Sequence, residues 1–335
     1  MGFPITPNLT GRSLLTLNDL SDREMRELIE LSARLKKRKA ESRKSAERLL
    51  QGMNIAMVFE KSSTRTRCAT TVACSDEGAH VEYLGKNDIH FGKKESVADS
   101  ARVLGRMFDG ILFRGFRHDF AEQLAKHAGV PVWNGLTDDA HPTQILADLL
   151  TVQEAFGKLE GVTVAFVGDG RNNVCNSLML GCAKMGLNFI NCCPLELAPN
   201  AKLVEQARTI ASAKGVSITI DHDPKTAVRG ANVVYTDVWV SMGEEAMFQE
   251  RIELLKPYQV NMAMMAATGN LESGQVIFLH CLPAFHNHDT EVSADIGALE
   301  VTDDVFEAGF SKVFDEAENR MHTIKAMIVA SLAGE

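Results

Sequence analysis

Ser63, Thr64, Arg65, Thr66 and Arg67 place hydroxyl and guanidinium donors at five successive positions directly after an apolar run that ends at Phe59. A helix with Ala69, Val72 and Ala73 on one side is predicted to begin within this run. The N–H groups and positive dipole end of a helix start, joined by Ser, Thr and Arg donors, suit a phosphate, and the arrangement is no P-loop. The plainer alternative is a capped helix with solvated arginines. Arg114, in Phe-Arg-Gly-Phe (113–116), closes another apolar run, where open α/β sheets bind ligands. His141-Pro142-Thr143-Gln144 has the form of a helix start, with His141 and Gln144 near each other at its N-terminal end.

Thr-Asp-Val-Trp-Val-Ser-Met-Gly (236–243) sets Asp237, Ser241 and Gly243 after an apolar strand, a polar set suited to the ammonium and carboxylate of an amino acid. Asp237 can equally be a helix cap. The stretch His280-Cys281-Leu282-Pro283-Ala284-Phe285-His286 admits three readings: a metal site, a nucleophile with its base, or a loop touching a small substrate. Its spacing matches no familiar zinc pattern, and a cysteine nucleophile requires a base brought near by the fold. Gly168-Asp169-Gly170 begins like a dinucleotide fingerprint, but Asn173 stands where the third glycine belongs, which argues against a nicotinamide enzyme.

These residues need elements to hold them. Short β-rich runs at 54–59, 110–113, 162–168, 189–193, 217–220, 232–238 and 276–281 alternate with helical periodicity, the pattern of parallel sheets covered by helices. A helix is predicted over 172–185 with Gly186 as its stop, another over 142–156, and an amphipathic one near the C-terminus carrying Met321, Ile324, Met327 and Ile328. A chain of 335 residues fits two domains at roughly 100 to 200 residues each, with the boundary near residue 150.

The charge balance of 35 Lys+Arg against 44 Asp+Glu gives −9, against a phosphate-tracking nucleic-acid surface, so an anionic ligand must meet a few focused cations. Seven cysteines form no C-x-x-C, and an odd number in so large a chain fits a reducing cytosol. Neither a signal sequence nor a membrane span is expected; Gly2 with Thr6 formally fits a myristoylation pattern too short to carry weight.

Taken in order, STRTR, KES with DSARVLGRM, FRGF, GVPVWNGLTD, HPTQILADLLT, GD-x-RNN, TDVWVSMGE, YQVN, HCLPAFH, EVTDDVFE and AENRMHTIKA resemble the ornithine carbamoyltransferases of the aspartate/ornithine carbamoyltransferase superfamily, essentially end to end. STRTR and HPTQ are shared by carbamoyltransferases broadly, whereas the SMG loop with HCLPAFH is the ornithine-type pairing. The resemblance implies an α/β fold of two domains, each a mostly parallel sheet flanked by helices, joined by interdomain helices. Residues 1–150, with helix 318–335 packed back on them, would bind carbamoyl phosphate, and 151–317 would bind ornithine. It implies reversible carbamoyl transfer to the δ-amino group of L-ornithine, giving L-citrulline and phosphate, in the cytoplasm and in arginine metabolism. No metal, organic cofactor, nucleic acid or membrane would take part, and the assembly would be a homotrimer, or a multiple of one, with intersubunit active sites.

Carried over by motif, Ser63, Thr64, Arg65 and Thr66 would hold the phosphate, while Arg114, His141, Pro142, Thr143 and Gln144, with Thr66, would meet the carbamoyl group. Arg320 would reach the same ligand from the last helix, and His90 would reach a neighbouring subunit's site. Asn173, Asp237, Ser241 and Met242 would hold ornithine's α-groups, with Cys281 and Leu282 beside the δ-nitrogen. Arg65, Arg114, His141, Asp237 and Cys281 would then be the catalytic set. Donors should face the carbonyl oxygen that gains charge. An amine resembling lysine, with a reference pKa near 10.4, must be lowered by low dielectric and nearby guanidinium groups to become nucleophilic. A sibling enzyme acting on putrescine or aspartate, and an amino-acid sensor that kept the fold, are the alternatives; the SMG loop and the retained Arg65, Arg114, His141 and Cys281 speak against them.

Overall fold

The apolar runs become short parallel strands because both faces of each sheet are covered by helices, so a strand need not alternate apolar with polar residues. The computed structural model describes residues 3–41, 47–92, 94–240 and 247–334. The chain divides into two compact units, Met1–Leu150 with Glu318–Glu335, and Thr151–Ala317.

The first unit holds α1 (Asp22–Glu41), β1 (Asn54–Phe59), α2 (Thr64–Asp76), β2 (His80–Leu84), α3 (Val97–Leu104), β3 (Gly110–Arg114), α4 (His118–His127), β4 (Val132–Leu136) and most of α5 (Pro142–Phe156). Its sheet has the order β2-β1-β3-β4, all pairs parallel. The order reverses between β1 and β3, where Phe59 pairs with Arg114. A crevice opens beyond the carboxyl ends of strands at such a reversal, so the segments after β1 and β3 are where a ligand is expected. Val58, Ile111 and Phe113 lie in the core of this unit.

The second unit holds β5 (Thr163–Val167), α6 (Asn173–Met185), β6 (Asn188–Cys192), α7 (Ala201–Ser212), β7 (Ile218–Asp221), β8 (Val233–Thr236), α8 (Phe248–Leu255), α9 (Met262–Ala267), β9 (Ile277–His280), α10 (Asp303–Phe306) and the start of α11 (Val313–Leu332). Its sheet runs β7-β6-β5-β8-β9, again parallel, and reverses between β5 and β8. Asp169 follows β5, Asp237 follows β8 and Cys281 follows β9. Gly186 ends α6 at φ 76°, a left-handed cap open to glycine without penalty.

The end of α11 belongs to the first unit and is tied into it. Leu9 N–H donates to the Ala330 carbonyl at 3.0 Å, and Trp133 Nε1 to Ser331 Oγ at 3.1 Å. Lys325 Nζ reaches Asp76 Oδ2 at 2.6 Å.

The sequence reading needs three corrections. β2 and β4 were not expected, because β2 is a largely exposed edge strand with polar residues and β4 carries Asn134 and Gly135. On α2 the buried stripe is Thr66, Ala69, Thr70, Ala73 and Cys74, while Val72 is 38% exposed. Positions 66, 70 and 74 share a face at four-residue spacing, and Val72 falls outside it.

Candidate active site

In the first unit the anion cradle forms where α2 begins. Ser63 is its N-cap, and Ser63 Oγ accepts the Thr66 N–H at 3.2 Å, satisfying the third N–H of the first turn. The N–H groups of Thr64 and Arg65 belong to that same turn, at the positive end of a 13-residue helix. Thr66 is fully buried, and its Oγ1 accepts from Arg320 Nη2 at 2.8 Å, which joins the last helix to the first turn of α2. Arg67, the fifth residue of the run, instead stacks over Tyr83 at 3.9 Å. Lys61, two residues before this run and buried, pairs with Asp138 at 2.6 Å and lies over the Phe116 ring, bracing the cradle to the loop before His141.

Arg114 is buried at the end of β3, and His141 is buried immediately before α5. Burial first, then the charges of Arg320, Arg114 and Arg65, hold the His141 imidazole well below its ordinary pKa. The ring is therefore neutral near pH 7. When the Thr143 hydroxyl donates to His141 Nδ1 (3.4 Å apart), the ring proton sits on Nε2, ready to donate to an oxygen gaining charge. Gln144 N–H donates to the His141 carbonyl at 3.1 Å, so the two lie together at the helix start. Pro142 and Thr143 are buried between them. His90 is exposed on the stretch between β2 and α3 and takes no part in these contacts.

In the second unit the centre is Asp237, 8% exposed at the end of β8. Its Oδ2 accepts from Asn172 Nδ2 at 2.9 Å, and its Oδ1 accepts from Val238 N–H at 2.8 Å and Cys281 Sγ at 3.1 Å. Asp237 is thus no helix cap. Asn172 also caps α6, accepting Val174 N–H at 2.7 Å, while the expected Asn173 is the first residue of that helix and half-buried. Gly170 is required by close approach, since a Cβ there would lie 2.6 Å from Cys193 Sγ and 2.7 Å from the Leu197 carbonyl. Asp169 is held by the buried Arg251 of α8 at 2.9 Å. Ser241, Met242 and Gly243 lie outside the described residues.

The loop after β9 is held by two buried carboxylates. His280 Nδ1 accepts the Leu282 N–H at 2.9 Å, which puts the ring proton on Nε2, facing Glu300 Oε1 at 3.2 Å. The same Glu300 oxygen accepts the Phe285 N–H at 2.7 Å, and Glu316 accepts the His280 N–H at 2.9 Å. Leu282 sits at φ 58°, the left-handed region, at a cost of roughly 1–2 kcal/mol for a residue with a Cβ. Its hydrogen bond to His280 helps keep it there. Among the described residues, Asp237, His280 and Cys281 bring possible metal-ligand atoms within 4.8 Å of one another, as do His286, Asp303 and Glu307. In the first group the thiol and both ring nitrogens are already engaged, an arrangement suited to orienting a substrate loop.

Sequence reasoning missed Asn172, Glu300 and Glu316 as supports. Asn172 stands at a cap position that could have been read; Glu300 and Glu316 are 20 and 36 residues from their partner.

Each unit thus carries its own cluster at strand ends, the first rich in guanidinium groups around the buried His141, the second built on Asp237 and the Cys281 thiol. Residues 12–154 match the carbamoyl-P binding domain, and 160–331 the Asp/Orn binding domain, of aspartate/ornithine carbamoyltransferase. The chain belongs to the aspartate/ornithine carbamoyltransferase family. It is 56% identical to a catabolic ornithine carbamoyltransferase of Bacillus licheniformis over 98% of both chains. It is 54% identical to that of Enterococcus faecalis over 96% of both. The structure of ornithine carbamoyltransferase from Pyrococcus furiosus superposes with a TM-score of 0.89 at 40% identity, covering 98% of this chain and 99% of that one.

Proposed function

We propose that this chain transfers the carbamoyl group of carbamoyl phosphate to the δ-amino group of L-ornithine, forming L-citrulline and phosphate. The observation that carries the reading is the burial of His141 at the start of α5, where the charges of Arg320, Arg114 and Arg65 act on it. In this reading the first unit is the carbamoyl-phosphate domain. Ser63, Thr64, Arg65 and Thr66 hold the phosphate, while Arg114, His141 and Gln144 meet the carbamoyl group, with Arg320 on the same ligand. The second unit binds ornithine through Asn173, Asp237, Ser241 and Met242, with Cys281 and Leu282 at the amine.

The δ-nitrogen attacks the carbonyl carbon, the carbonyl oxygen gains charge, and the C–O bond to phosphate breaks as the nitrogen loses a proton. Arg114 and the His141 N–H stabilise the oxygen, and Arg65 with the start of α2 stabilises the departing phosphate. Holding amine and carbonyl in attack geometry supplies a further part of the rate. The reaction is reversible on the same residues, and an acyl phosphate carries its own leaving group, so the step calls for no metal or organic cofactor.

The exposure of His90 supports a role toward a neighbouring copy in a trimer or a multiple of one. No helix among the described residues is long and apolar enough to cross a membrane. Seven cysteines with no C-x-x-C spacing support a cytoplasmic location. The test is citrulline and phosphate formation from carbamoyl phosphate with L-ornithine, beside putrescine, L-aspartate and N-acetyl-L-ornithine. Turnover with ornithine alone is expected; turnover with another amine discards the roles of Asp237 and Ser241, and binding without turnover replaces the enzyme with a sensor.

A further inference from the structure

Gln144 and Asp148 lie one turn apart on α5, both 1% exposed, and Gln144 Nε2 donates to Asp148 Oδ1 at 2.8 Å. A glutamine amide has a donor end and an acceptor end of nearly the same shape, so packing alone barely distinguishes its two orientations. A carboxylate only accepts. It therefore pins the NH2 of Gln144 toward itself and fixes which atom, Oε1, the amide offers on its other side. The groups assigned to the carbamoyl oxygen, Arg114, the His141 N–H and Thr66, are donors or hydroxyls, and the guanidinium groups of Arg65 and Arg320 donate only. The carbamoyl NH2 needs an acceptor, and a correctly turned Gln144 supplies one.

We infer that Asp148 is a positioning residue that sets the orientation of the Gln144 amide and thereby the preference for a carbamoyl NH2 over a methyl group at the same position. The inference rests on the proposed contact of Gln144 with the carbamoyl group. A site built to hydrogen-bond a polar group discriminates against the analogue lacking it, because its own buried partner is then left unmatched. Asparagine at 148 presents either a donor or an acceptor, so it removes the bias while keeping the shape.

The experiment measures dissociation constants of phosphonoacetamide and 2-oxopropylphosphonate, which differ as NH2 against CH3, by calorimetry on the intact assembled protein. The wild type is expected to favour the amide by about tenfold or more. Asp148→Asn is expected to bring the two within about threefold, with affinity for inorganic phosphate unchanged. Asp148→Ser gives the same readout should the asparagine variant not fold. Gln144→Met is the control for the underlying reading. Loss of the preference in both Gln144→Met and Asp148→Asn supports the inference. If it is lost in Gln144→Met but kept in the Asp148 variants, Asp148 is a packing residue and the inference falls. Preference kept in both overturns the carbamoyl contact of Gln144, and the role of Asp148 with it.

Discussion

The Cys281 thiol donates to Asp237 Oδ1 at 3.1 Å, which joins the ends of two neighbouring strands, β8 and β9. The cysteine thereby orients one oxygen of a carboxylate whose other oxygen is held by Asn172. Cys281→Ala is expected to raise the ornithine KM by about tenfold, the worth of a hydrogen bond to a charged group, with a near-normal melting temperature. Steady-state kinetics beside thermal unfolding check this; a collapsed melting temperature with unchanged KM would make Cys281 a packing residue.

Arg320 acts twice in the first unit, donating to Thr66 and adding the largest single charge effect on His141. Removing that charge lets the His141 pKa rise toward its ordinary value. In Arg320→Met the acid limb of the kcat/KM–pH profile should therefore move to higher pH, because the neutral imidazole is lost sooner as pH falls, and kcat/KM should drop by about two orders of magnitude or more. An unshifted acid limb would remove His141 as the titrating group.

Glu300 holds the substrate loop through His280 and Phe285. Glu300→Ala strands one buried donor, on His280, and one part-buried donor, on Phe285, and should cost about 1–3 kcal/mol of stability, with a raised ornithine KM. Glu300→Gln keeps an acceptor oxygen and should restore most of both. Equal damage from the two variants would show that the carboxylate's charge, and not its hydrogen bonds, is what the loop needs.

Burial brings the His322 pKa down to about 4, outweighing the hydrogen bond to Glu318 that raises it. Between an unfolded value near 6.5 and about 4, the unfolded chain binds a proton that the folded chain refuses, so stability falls as pH drops through that window. His141 contributes with the same sign. The urea midpoint of the wild type should fall from pH 7.5 to pH 5, and that of His322→Gln should fall less. Parallel pH dependence in the two proteins would assign the loss to other groups.

Much of this was legible because the signals were local. The seven expected strand runs and the helix that Gly186 stops follow from periodicity and cap chemistry within a few residues. β2 escaped because an edge strand buries little and so shows no apolar run. The donors of the cradle could be named from STRTR and HPTQ, yet Arg320 meets Thr66 across 254 positions and was reached only through resemblance. Glu300 and Asp148 were missed for different reasons. A buried glutamate far along the chain leaves no local trace, and an aspartate inside an apolar helix looks like an ordinary polar position until its glutamine is seen.

The first unit is closed by residues 318–335, made after the whole of the second unit. During synthesis the early sheet must therefore wait with Thr66, Asp76 and Trp133 lacking their partners on α11. At about 5–20 residues per second, the intervening chain takes roughly ten seconds or more to emerge. A ribosome-bound fragment ending near residue 317 should bind phosphate analogues poorly even though every residue of the STRTR and HPTQ motifs is present, and the cradle should become competent only when the final helix is released.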